Sequence, residues 1–202
     1  MQDTIPFDHE LLEMLKAITS EGIKNAARGF SGMVGHKIEV SNPVARLVPL
    51  LGIAEIVGGP ENEAVGIYLR IEGDMLGQIM MIIPYQKALE LVDLLMDLPT
   101  GTTTQLGSLE RSALGEVGNL TGSFFLNSVA KLTGTSVRPT PPAVLVDMVG
   151  AILDIIIATT GGVSEHVLLL RADLTDGDRR VDADFWVIPD TATIQALRSG
   201  NA

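Results

Sequence analysis

Between Leu106 and Leu132 the chain reads LGSLERSALGEVGNLTGSFFLNSVAKL, with apolar residues recurring at helical spacing. At about 100° per residue, Leu109, Ala113, Val117, Leu120 and Phe124 fall on one face. Leu114, Gly118, Thr121, Gly122 and Phe125 cover much of the opposite side, so this helix is expected to be buried nearly all round. Gly115, Gly118 and Gly122 each cost about 1 kcal/mol relative to alanine inside a helix. Something must therefore approach that backbone closely. One polar line is left, Ser112, Glu116, Asn119 and Ser123, whose spacing puts their side chains on a single face. A costly, tightly packed helix with one polar line is a platform for a site.

The remainder of the chain supplies the body around this helix. Its 202 residues are 46% hydrophobic, enough for one good core. No apolar run reaches the 18 or more residues of a membrane span, and the longest, Ile79–Ile83 and Ile152–Ala158, are the size of a strand or core helix. Membrane insertion is not expected. The opening MQDTIPFDHELLEM has no basic segment leading into an apolar core, which speaks against a secretory signal. The absence of cysteine rules out disulfides, thiolate metal sites and a cysteine nucleophile, and it fits a reducing, cytoplasmic setting. A net charge of −11 disfavours a nucleic-acid phosphate backbone as partner and suits a partner with basic patches.

In order, Asp8–Val34 is helical by periodicity and Gly35 ends it; Lys37–Ser41 reads as a strand that Pro43 breaks. Val44–Val57 forms an apolar connector or short helix, and Gly58-Gly59-Pro60 a loop. Ala64–Glu72 and Leu76–Ile83 make a hairpin across Gly73-Asp74, and Pro84 opens a helix Tyr85–Leu98. The second half repeats this order. A shift of 99 residues lays Gly35-His36-Lys37-Ile38 on Gly134-Thr135-Ser136-Val137 and Pro43 on Pro142; later, Leu69-Arg70 matches Leu170-Arg171 and Ile83-Pro84 matches Ile188-Pro189. The offset grows because the second hairpin turn, Thr175–Arg180, is expected to be the longer one. Two or three strands per half are too few to be stable alone. The expectation is one α+β domain over residues 1–202, built from pseudo-symmetric halves at about 8–98 and 106–199 that share one mixed or antiparallel sheet, with both long helices on one face. Leu98–Gln105 is the connector.

Under the same shift, Ser112, Glu116, Asn119 and Ser123 correspond to Glu13, Ala17, Ser20 and Lys24. Only the second half carries a carboxylate–amide pair. Glutamate can accept a proton or pair with a cation, whereas the asparagine amide offers two donors and an acceptor. Together they can hold a water in line for attack, but they form no covalent intermediate. Such a site needs a substrate that is already activated, with any metal brought by the partner.

Ser112-x3-Glu116-x2-Asn119, followed 22 residues on by Pro141, resembles the signature of the CheC/CheX/FliY phosphatases of chemotaxis. Gly35–Val40 with Arg46–Leu50, Val65–Leu69 with Glu72-Gly73-Asp74, and Val146-Asp147-Met148 with Gly150–Leu153 are similar to the equivalent segments of stand-alone CheC. The resemblance covers nearly the whole chain; FliY's C-terminal switch domain is not expected. It implies dephosphorylation of a phosphorylated CheY-like response regulator. The motif Asn119 would orient the attacking water, Glu116 would engage the regulator's active-site lysine, and Ser112 and Pro141 would support them. No intrinsic cofactor is implied, and Mg2+ belongs to the regulator. Many CheC proteins carry two sites; here Ala17 and Ser20 replace the first pair, so the first half, with Glu13, is expected to be degenerate. Glu21 and Asn25 lie one turn apart nearby, out of register with the Gly35 and Pro43 anchors.

Val146–Ala158 reads as a helix with Asp147 and Asp154 on one side beside Gly150 and Ala151. The resemblance places Asp147, Gly150 and Ala151 in the patch that binds the deamidase CheD, a second candidate partner; the plain alternative is a core-facing helix with two exposed acids. His9, His36 and His166 lack ligand spacing, and Asp173, Asp176, Asp178, Asp182 and Asp184 lack an EF-hand's closing glutamate, so no metal site is expected. Gly58-Gly59-Pro60 and Gly161-Gly162 lack a phosphate-loop lysine. Besides a phosphatase, the sequence admits a module that docks a phosphorylated regulator or CheD without turnover, and a structural part of the flagellar switch.

Overall fold

The computed structural model describes residues 39–159, 166–177 and 179–189, together with positions 13, 21, 22, 25, 28, 29, 31–35 and 37. Among the described residues, seven strands form one antiparallel sheet: β1 (Glu39–Pro49), β2 (Glu63–Gly73), β3 (Gly77–Pro84), β4 (Val137–Pro139), β5 (Ala143–Met148), β6 (His166–Asp176) and β7 (Arg179–Pro189). Among the described residues, helices α1 (Ile53–Ile56), α2 (Tyr85–Leu95), α3 (Ser108–Thr133) and α4 (Val149–Thr159) accompany them. The sheet order is β1-β6-β7-β3-β2-β4, with β5 also paired to β2. Each hairpin, β2–β3 and β6–β7, is thus flanked by a strand from the other end of the chain.

Strand periodicity splits the apolar residues between two cores. Val65, Ile67, Leu69 and Ile71 of β2 join Ile79, Met81 and Ile83 of β3 under α2 and α3. Ala64, Met80, Ile82, Leu169 and Trp186 face the other way, under α1 and α4. Both faces of β3 are buried, which is why its sequence runs apolar without alternation. The positions described between 13 and 34 are helical, and Gly35, at φ 79°, ends that run by donating its N–H to Ser31 O. These positions lie against α3: a Cβ at Gly22 would stand 3.3 Å from Phe125 Cα, and one at Gly29 would meet the Phe124 ring. These helical positions therefore stack on the same side of the sheet as α3.

Several boundaries differ from expectation. Pro43 does not break β1, which continues to Pro49 as an edge strand. The register slips between Ser41 and Val44, and a bulge at an edge is where a strand tolerates a residue without an N–H. Of the expected connector Val44–Val57, only a 3-10 turn at Leu50–Gly52 and the single turn α1 are helical. Pro84 caps α2 from the end of β3 instead of starting the helix, and α2 stops at Leu95. The β6–β7 turn is short, since pairing persists out to Asp176↔Arg179; the added residues lengthen strands, not the turn. Val146, Asp147 and Met148 remain paired to β2, so the helix expected from Val146 begins at Val149. Its start is set by neighbours, with Val149 and Gly150 donating to Asn62 O and Pro60 O, both at 2.9 Å.

Candidate active site

The helix that bears the polar line is held at each end by backbone chemistry. No side chain caps its N-terminus. The connector before it is gathered by Asp93 of α2, whose carboxylate accepts N–H groups from Gly101 (2.7 Å), Thr102 (3.1 Å) and Thr103 (2.8 Å). Burial alone would push the Asp93 carboxyl up, but the hydrogen bonds from Thr103, Gly101 and Thr102 outweigh it and hold the group below its ordinary value. At the far end Gly134 takes a left-handed conformation (φ 73°) and donates to Ala130 O at 2.9 Å.

Between these ends the glycines answer the question their cost poses. At about 100° per residue they line one side of the helix, next to the polar line. A Cβ at Gly118 would run into Ile67 Cγ2; one at Gly122 would stand 3.3 Å from Leu69 Cδ2 and 3.7 Å from Pro139 Cβ. Gly115 differs, with Val144 Cγ2 at 3.6 Å and Pro142 Cγ at 3.7 Å, ordinary contact. The glycine side thus lies on β2 and on a wall made by Pro139, Pro142 and Val144. Leu109, expected on the apolar face, is 63% exposed, because the helix buries no residue before Leu114.

Beside this contact the helix and the wall diverge into an open groove of about 640 Å³. Arg111, Ser112, Gly115, Glu116 and Asn119 line its helix side, and Pro139, Pro141, Pro142 and Val144 the other. Ser112, Glu116 and Asn119, singled out from spacing, and Pro141, named by the resemblance, therefore meet in one place; Ser123 lies beyond it. Glu116 is exposed and Asn119 half-buried, and no hydrogen bond to either side chain is made among the described residues. Ser112 is committed differently: its hydroxyl donates to Ser108 O at 2.8 Å, leaving only oxygen lone pairs for the groove. The wall is a second bulge. From Ile71↔Pro139 to Tyr68↔Ala143, the β4–β5 segment advances four positions while β2 advances three.

The family model of the CheC-like family matches residues 109–146, the span that carries every residue of this groove. The CheY-P phosphatase CheC of Bacillus subtilis (strain 168) is 26% identical over 192 residues, 93% of this chain and 92% of that protein. This chain is thus similar to the CheC-like family over the segment that carries the groove. Its fold is also that of Thermotoga maritima FliY, at TM-score 0.73 and 16% identity over 98% of both chains. The CheX chain of a CheX–CheY–BeF3–Mg2+ complex from Borrelia burgdorferi is matched at TM-score 0.53 and 18% identity, over 85% of this chain and 97% of that one.

The other residues singled out from the sequence do not assemble a second site among the described residues. Glu13 is exposed and helical, while Ala17 and Ser20 lie outside the described residues. Glu21 is exposed, and Asn25 Oδ1 accepts from Arg28 Nη1 at 3.4 Å. Asp147 belongs to β5, not to a helix face shared with Gly150 and Ala151, and Gly150 is pressed on Pro60, whose carbonyl oxygen would stand 3.3 Å from a Cβ there. Asp147 and Gly150–Ala151 thus stand on the adjoining ends of a strand and a helix. His9, His36, Asp178 and Gly161-Gly162 lie outside the described residues. Arg111, Pro139 and Val144 were missed by the sequence reading, and Pro142 entered only as the counterpart of Pro43. The dense run Pro139-Thr140-Pro141-Pro142 was the available signal, since a strand holds so many prolines only at an edge or bulge; Arg111 had none.

Proposed function

We propose that this protein accelerates hydrolysis of the aspartyl phosphate of a CheY-like response regulator. The observation that carries the reading is that Glu116 and Asn119, one turn apart on α3, face an open groove with no hydrogen-bond partner of their own among the described residues. Polar groups left unpaired beside an apolar wall are poised for groups that another molecule brings. The named relatives point the same way, one being a CheY-P phosphatase and another found in complex with CheY.

In this reading the groove receives the phosphorylated surface of the regulator. The Asn119 amide oxygen accepts a hydrogen bond from a water and directs the water's oxygen at phosphorus, in line with the bond to the aspartyl oxygen. Water adds, the phosphorus–oxygen bond breaks, and the regulator's aspartate leaves as a carboxylate with inorganic phosphate as the other product. Glu116 pairs with the regulator's active-site lysine and fixes the docking register. An acyl phosphate is already activated, so positioning suffices and no nucleophile is required from this chain. In this reading any Mg2+ belongs to the regulator's phosphorylated site.

The test is loss of label from a phosphorylated regulator with the protein at a small fraction of its concentration. Repeated turnover is expected, with Glu116→Ala and Asn119→Ala each abolishing it at unchanged melting temperature. Full activity in both variants overturns the assignment. A strictly stoichiometric effect replaces it with a binding module that holds phosphorylated regulator without turnover.

A further inference from the structure

The groove exists because the β4–β5 segment leaves the sheet for three residues, and the chain has to satisfy β2 while it does so. Pro141 and Pro142 have no N–H to offer, and the bulge carries the strand away from Arg70 of β2. An unpaired backbone N–H and C=O at that position would both need partners. Thr140 supplies both. Its N–H donates to Arg70 O at 2.9 Å, and its Oγ1 accepts the Arg70 N–H at 3.0 Å. One side chain thus takes the place of the strand carbonyl that the bulge removes, which frees the next two residues to stand over α3. Pro142 then rests 3.7 Å from the Cβ positions of both Gly115 and Gly118, and Pro141 faces the groove opposite Glu116 and Asn119. The first half carries a comparable bulge, where β1 advances from Ser41 to Val44 while β6 advances only from Asp173 to Arg171. The 99-residue shift puts Asn42 there in place of Pro141. The bulge recurs in both halves, and the second half alone adds the double proline that walls a groove.

We propose that Thr140 is a positioning residue for the candidate active site: its hydroxyl closes the β2 ladder at Arg70 and so holds the proline wall at the distance the docked regulator requires. This rests on the phosphatase reading and adds to it the element that sets docking geometry. The catalytic groups sit on α3 and do not touch Thr140, so losing the hydroxyl disturbs docking and spares the chemical step.

Steady-state kinetics on phosphorylated regulator, with Thr140→Val and Thr140→Ser beside the parent chain, test this. The valine variant keeps the side-chain shape and loses the acceptor. It is expected to raise KM roughly five- to tenfold, as the loss of one hydrogen bond does, with kcat within about twofold; the serine variant restores the parent KM. Exchange of the Arg70 amide should be slow in the parent and serine chains and fast in the valine chain. If the valine variant folds poorly, Thr140→Cys takes its place with the same expectation, because sulfur is a weak acceptor. Parent kinetics in the valine or cysteine variant, or a serine variant as impaired as valine, overturns the positioning role while the Glu116 and Asn119 results stand. Retention of turnover by Glu116→Ala and Asn119→Ala brings down the phosphatase reading and this inference with it.

Discussion

Asp93 shows how much one buried carboxylate can organise. It is 1% exposed and has no cationic partner in its hydrogen-bond set; three backbone N–H groups of the 101–103 segment converge on it. Replacement by asparagine keeps an acceptor oxygen but sets an NH2 group among donors. Asp93→Asn is therefore expected to cost about 1–3 kcal/mol, read as a fall in the urea midpoint. The pH dependence follows from the direction of the shift. The folded-state value is lowered, so the unfolded chain holds more protons in the acid range. The stabilisation is complete above the unfolded carboxylate value of about 3.9 and is lost as pH falls through the lower, folded one. Urea titrations from neutral to strongly acidic pH should show this loss in the parent chain and a flatter acid limb in Asp93→Asn.

At the scale of the element, α3 combines two contacts of different tightness. Gly118 lies against Ile67 of β2 with no room for a methyl group, while Gly115 has its neighbours at ordinary distance. Gly115→Ala should therefore leave stability unchanged or raise it by up to about 1 kcal/mol, the helix-propensity difference. Gly118→Ala must push α3 off the sheet or Ile67 out of its place; overpacking of that kind costs about 1–3 kcal/mol, against which the same propensity gain counts. Thermal melts of the two variants would rank them, and equal melting temperatures would refute the contact assigned to Gly118. The helix period, the polar line and the need for a close neighbour were all legible in the 106–132 segment, because each depends on spacing along one element. The exposure of Leu109 was not legible, since it depends on where the sheet ends beneath the helix. Asp147 was misread for a related reason: Val146-Asp147-Met148 fits a helical pattern, and pairing with Ala64 and its neighbours on β2 overrides it.

For the whole molecule, the order β1-β6-β7-β3-β2-β4 places strands of each half on the hairpin of the other. β1 bonds to β6, while β4 and β5 bond to β2. Neither half has a sheet edge it can complete alone. Residues 1–105 and 106–202 expressed as separate chains are expected to be unfolded, and mixing them should restore the far-ultraviolet circular dichroism of the intact chain. A cooperative melt from either fragment alone would contradict this.

The amino-acid order by itself determined the helix and its polar line, the β2–β3 hairpin, and the pairing of Glu116 with Asn119, since all of these depend on residues within a few turns of one another. It also carried the resemblance that named Pro141. Only the tertiary structure decided which side of α3 would stay open and what would stand across from it. That outcome depends on a one-residue slip between β2 and the β4–β5 segment, closed by a threonine hydroxyl on the Arg70 amide. A slip of register changes no local propensity, and it becomes visible only when two strands some seventy residues apart lie side by side.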